Sequence, residues 1–151
     1  MKKVILVLAM AALAAVPAAA SIKTDVMAPV HQFVDGFNKG DVKAAQAACT
    51  EQMSILDDIP PHEWHGEGAF TRWIGDYEVN AKKNAVSDGV VKLNAPRHVD
   101  VTGDRAYVVV PADYTFKRHG KPVKENGSII TLSLQKLDAG WRITGWAWSK
   151  P

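Results

Sequence analysis

Gly140-Trp141-Arg142-Ile143-Thr144-Gly145-Trp146-Ala147-Trp148-Ser149 is the stretch that decides how the rest of the chain is read. It holds three of the five tryptophans and alternates bulky with small residues, the period of two that a strand requires. Another alternating run, Ile130 to Leu134, precedes it across the turn-forming Asp138-Ala139-Gly140. The C-terminus therefore reads as the last strand of a curved sheet, and the upstream chain has to supply helices that cover it.

Working back from that strand, the region after residue 85 is β-rich. Strands are expected over Val86 to Val101 with a break at Pro96, over Ala106 to Arg118 and over Ser128 to Leu137. Thr102-Gly103-Asp104 and Arg118-His119-Gly120-Lys121 are the hairpin joints. The N-terminal half is helical. Val26, Val30, Phe33, Val34 and Phe37 recur at spacings of three and four, which predicts a helix over Asp25 to Asn38 with Thr24 as its N-cap. Gly40 ends it, and Asp41 caps a second helix over Val42 to Thr50, where Cys49 reads as a small core residue. Met53 to Leu56 is a short strand running into Asp57-Asp58 and the proline-led loop Ile59 to His65. Phe70, Trp73, Ile74 and Tyr77 then mark a third helix over Ala69 to Lys82. The fold class is α+β.

Alternation also assigns faces. Val108, Val110, Ala112, Tyr114 and Phe116 share one side of their strand, and Ile130, Leu132 and Leu134 share one side of the next. In the closing strand a strict period of two puts Trp146 and Trp148 opposite Trp141 and Ile143, on the outer face. Two exposed indoles call for a cover, and a second copy of the chain is the economical one, so a homodimer with Trp146 and Trp148 at its interface is expected.

Residues 1–20 have the form of a secretory signal: Lys2-Lys3, an apolar run from Val4 to Val16, then Ala18-Ala19-Ala20. The mature chain, 21–151, has the size of one domain. A periplasmic or secreted location follows, with no membrane association after cleavage; a retained N-terminal anchor is the alternative. Without Lys2 and Lys3 the domain carries 16 basic and 16 acidic residues, which leaves no basic footprint for nucleic acid. A single cysteine rules out an internal disulfide. No phosphate loop, nucleophile elbow or dinucleotide fingerprint is present, and no cofactor is expected.

The order of two helices, a short strand, a third helix and four long strands resembles the nuclear transport factor 2-like superfamily, and within it the SnoaL-like and ketosteroid isomerase-like proteins. The resemblance rests on Phe33-Val34-Asp35-Gly36-Phe37-Asn38-Lys39-Gly40-Asp41, on Trp64-His65-Gly66, on Val99-Asp100-Val101-Thr102-Gly103-Asp104-Arg105-Ala106 and on Gly140-Trp141-Arg142-Ile143. It implies a cone-shaped α+β barrel in which three helices pack on a strongly curved antiparallel sheet around a pocket. It also implies a proton-moving carboxylate after the first strand, a place taken by Asp58. The family's oxyanion-binding tyrosine and late-strand acid are replaced by Phe33 and Ile130, which donate no hydrogen bond, so steroid-type isomerisation is not expected.

Asp57 and Asp58 diverge in an extended segment, and Asp58 is taken as the one in the pocket, a general base or else a solvated loop carboxylate. His65 is its candidate acid–base partner. His62 and His65 lie three apart in a loop with no third ligand nearby in sequence, and no metal site is assigned. Phe33, Phe37, Trp64, Trp73, Tyr77 and Tyr114 are the candidate ligand-binding wall, with ordinary core packing as the alternative. Three functions stay open: a binder of a small hydrophobic molecule, a proton-transfer enzyme (cyclase, isomerase or dehydratase) using Asp58, and a dimeric interaction module.

Overall fold

A computed structural model describes residues 18–151, and the signal expected over residues 1–20 lies almost entirely outside them. Three helices come first or among the early strands: α1 (Ala18–Lys39), α2 (Val42–Ala47) and α3 (Ala69–Lys83). The strands are β1 (Cys49–Leu56), β2 (Glu63–Glu67), β3 (Val86–Leu93), β4 (His98–Thr102), β5 (Arg105–Arg118), β6 (Lys121–Leu137) and β7 (Gly140–Ser149). They form one sheet in the order β2-β1-β7-β6-β5-β3, with β4 also paired to β5. No described helix is long and apolar enough to cross a membrane.

The sheet is mixed, which corrects the expectation of an antiparallel one. β1 and β7 run parallel, Ile55 opposite Trp146 and Leu56 opposite Ala147. Parallel neighbours need a long connection, and here residues 57–139, more than half the chain, separate the two strands. The approach is close: a Cβ on Gly145 would stand 2.7 Å from the Ser54 carbonyl oxygen, so only glycine fits there.

Three boundaries differ from the sequence reading. α1 already runs before Thr24, whose hydroxyl donates to the Ala20 carbonyl at 3.0 Å inside the helix instead of capping it. α2 stops at Ala47, because Cys49 already belongs to β1; Asp41 does cap α2, accepting from the Ala44 amide at 3.0 Å. The segment around Trp64 and His65 is strand β2, paired with β1, not a loop. The C-terminal region divides as expected near Pro96 into β3 and β4, both bonded to β5, whereas β6 begins earlier than its apolar pattern because Lys121 to Asn126 continue the ladder with β5.

The core lies between the helices and one sheet face. Val26, Val30, Phe33 and Val34 of α1, Phe70 and Trp73 of α3, and Val108, Val110, Ile130, Leu132, Leu134 and Ile143 of the sheet form one buried cluster. α1 is also pinned to β3 by Asn38, whose amide donates to the Val91 carbonyl at 2.7 Å and accepts from its N–H at 2.8 Å.

The largest correction falls on β7. Ile143 pairs with Leu134 but Gly145 pairs with Ser133, which leaves Thr144 as an extra, unpaired residue. This bulge reverses the alternation of everything after it. Trp146 is opposite Leu132, only 5% exposed and in the core, and Trp148 is opposite Ile130 on the same inner face. Neither indole is on the outer face, where the sequence placed them.

Candidate functional site

The inner face of the sheet and the helices do not close completely. A cavity of about 150 Å³ lies between α1, α3 and the sheet, lined by Phe33, Phe37, Trp73, Tyr77, Tyr114 and Trp148 among others. A space of that size takes a ring such as benzene. The rings brace one another: Phe37 stands edge-on to Tyr77 at 5.2 Å, Trp73 edge-on to Trp146 at 4.8 Å, and Tyr114 stacks on Phe116 at 4.9 Å.

Five of the six residues expected in the wall are there. The exception is Trp64, which is buried in the core but turned away, its indole N–H donating to Asp76 at 2.8 Å on α3. Trp146, Trp148, Phe116 and Ile130 were missed as wall residues. For Trp146 and Trp148 the cause is the bulge at Thr144, which leaves no mark in the sequence.

The carboxylate pair resolves in favour of the other member. Met53 and Ile55 point inward from β1 and Leu56 outward, and the same alternation carries Asp57 in and Asp58 out. Asp57 accepts from the Trp73 indole N–H at 2.7 Å and, through its second oxygen, from the Asp58 amide at 2.7 Å. Burial pushes its pKa up to about 7, the Trp73 hydrogen bond opposing and the neighbouring Asp58 adding to the rise. Asp58 sits at the cavity mouth, ion-paired with Lys150. The signal that could have found Asp57 was present: it continues the Met53, Ile55 series.

His65 is not beside either aspartate. On β2 it faces away from Trp64, exposed, 3.3 Å from the Ser54 hydroxyl and 3.4 Å from Glu63. A role as partner of Asp58 in the cavity is therefore corrected by the strand pairing that turns it outward. Among the described residues, no three His, Cys, Asp or Glu side chains stand together to hold a metal. Cys49 is half-buried and its thiol is pushed up to about 12 by burial, an unreactive state.

The second polar feature of the interior is a pair of hydroxyls. Tyr77 from α3 and Tyr114 from β5 meet at 2.9 Å. Burial raises the pKa of both, so each stays protonated and the pair retains an O–H to offer a ligand. The backbone makes room for them at Gly89, where a Cβ would come within 2.6 Å of the Tyr114 oxygen and 3.1 Å of that of Tyr77.

Solved structures with this architecture place the fold. It is similar to a nuclear transport factor 2-like superfamily protein from Salmonella enterica (TM-score 0.72, 17% identity, 88% of this chain and 93% of that one). It is also similar to a ketosteroid isomerase-like protein from Erwinia carotovora (TM-score 0.65, 18% identity, 84% and 94%). A nuclear transport factor 2-like protein with a cystatin-like fold from Novosphingobium aromaticivorans aligns over 91% of both chains with TM-score 0.68 and 14% identity. At these identities the likeness defines the fold alone. No curated protein sequence matches the chain. A family model describing the SnoaL-like domain matches residues 26–151, and the chain belongs to that family.

Proposed function

We propose that the protein is an exported domain that binds a small, largely apolar molecule in the cavity walled by Phe33, Phe37, Trp73 and Tyr77. The observation that carries this reading is an aromatic cavity holding only a few convergent polar groups, Asp57 and the Tyr77–Tyr114 pair, the usual composition of a ligand site. Export rests on the sequence of residues 1–20 and is checked by N-terminal sequencing of the exported protein, which should begin at Ser21. Native mass spectrometry of the purified protein tests the binding reading. A retained small molecule, lost on Phe37→Asp, is the expected result; a ligand-free protein that also takes up no apolar probe overturns it.

A second reading, proton transfer, is favoured by one observation: a carboxyl with a pKa near neutrality that faces an aromatic cavity is suited to act as a general base. The base in this reading is Asp57, with the tyrosine pair as hydrogen-bond donors. Exchange of acidic C–H protons of cyclic ketones into deuterated water, lost in Asp57→Asn, is the measurement. Equal exchange rates in the two proteins would remove Asp57 from any such role.

A further inference from the structure

We infer that the ligand of this cavity is a small organic cation, an ammonium group on a ring-sized apolar body, held between the aromatic wall and Asp57; this rests on the cavity being a binding site. Two features that are independent in sequence point the same way. One is the wall itself. Phe33, Phe37, Trp73, Tyr77, Tyr114 and Trp148 come from two helices and two strands and surround one space. Ring faces attract a cation within about 6 Å of their centroids, and more strongly where water is excluded.

The other feature is a charge without a counter-charge. Five charged side chains face the cavity: Asp57, Asp58 and Glu125 against Arg118 and Lys150. Lys150 is taken by Asp58, at the mouth. Arg118 is exposed and lies over the Phe116 ring at 5.3 Å. Asp57 is the deep one, and both of its oxygens accept only from neutral donors, the Trp73 indole and a backbone amide. Among the described residues no ion pair reaches it. A buried carboxylate facing only neutral donors is destabilised, and a ligand cation would supply what the protein leaves out. Against a neutral ligand Asp57 can lose its charge only by taking up a proton, and an anion would be repelled by its ionised form.

A pH signature follows. With its pKa raised to about 7, Asp57 carries a proton below neutrality, and a cation must displace that proton to bind. Tyr77 and Tyr114, both raised, remain neutral throughout. Asp58, Glu125, Arg118 and Lys150 are the remaining charged groups facing the cavity, two of each sign, and the lining includes no histidine. By linkage, affinity for a permanent cation should be about tenfold weaker at pH 6, and about a hundredfold weaker at pH 5, than at pH 8.

Titration calorimetry of the purified protein with benzyltrimethylammonium, its uncharged isostere neopentylbenzene, and phenylacetate tests the inference. At pH 8 the cation should bind about tenfold or more tighter than the isostere, with phenylacetate weakest, and only the cation should show the acid-side loss. Asp57→Asn should erase both the preference and the pH slope while still binding the isostere. If that variant fails to melt cooperatively, the ranking and slope of the unaltered protein decide. An isostere or phenylacetate that matches the cation at pH 8 overturns the inference and leaves the cavity reading standing. Failure of all three to bind overturns both.

Discussion

The interior of the cavity and its mouth are supplied by adjacent residues of one chain segment, yet they place the same chemical group in contrasting surroundings. Asp57 lies in the interior against Trp73, and burial favours its protonated form. Asp58, one residue later, meets Lys150 at the mouth, and this pairing raises the pKa of the lysine, favouring its charged form. The difference comes from the direction in which an extended backbone sends successive side chains. Residue identity sets what a group can do; the solvent around it sets what it does.

The contrast predicts that changes in the interior cost far more than changes at the mouth. The largest effect should come from Trp146→Ala, which removes an indole packed 4.8 Å from Trp73 and 5.8 Å from Phe33. Denaturant unfolding should show a loss of about 3–5 kcal/mol, and a loss below about 1 kcal/mol would mean that the interior is not packed as described.

Next is the pH dependence of Asp57. Its folded pKa, about 7, lies above its unfolded one, so its contribution to stability is fully present below about pH 4 and is lost as pH rises through 7. The unfolding free energy of the unaltered protein should therefore fall relative to Asp57→Asn between pH 4 and 8, by about 2–4 kcal/mol. Parallel curves for the two proteins would place Asp57 in water like its neighbour.

A smaller effect is expected from Gly89→Ala, whose new methyl group must displace the Tyr77–Tyr114 pair. About 1–2 kcal/mol should be lost, and the tyrosine hydroxyl resonances should shift in proton NMR. Asp58→Asn should matter least. The pair with Lys150 is part-exposed, and such pairs contribute under about 1 kcal/mol, less in high salt. If Asp58→Asn proves as costly as Trp146→Ala, the distinction between interior and mouth fails.

Much of the fold was legible because it depends on local pattern. The spacing of Val26, Val30, Phe33 and Phe37 placed α1, Asp41 marked the start of α2, and Pro96 marked the division between β3 and β4. The aromatic wall was legible for the same reason, since Phe33, Phe37, Trp73 and Tyr77 sit on the buried stripes of two helices. β2 was not, because Glu63 to Glu67 carries a single apolar side chain, Trp64, and is held as a strand by its ladder to β1. Nor was the first part of β6, where Lys121 to Asn126 are strand only through the pairing with β5.

The closing stretch divides the two kinds of knowledge most sharply. By itself the sequence determined that Gly140 to Ser149 is a strand, that Trp141 and Ile143 face the core, and that the helices before it are amphipathic. These follow from the period of side-chain direction along one backbone, a local property. Only the tertiary structure decided that Trp146 and Trp148 turn inward. That outcome depends on one unpaired residue, Thr144, where the register of β7 against β6 shifts just before Gly145 passes so close to β1 that a Cβ there would stand 2.7 Å from the Ser54 carbonyl oxygen. The same division separates a pair of aspartates, visible to any reader of the sequence, from the half-buried carboxyl of Asp57, which the packing of Trp73 against β1 produces.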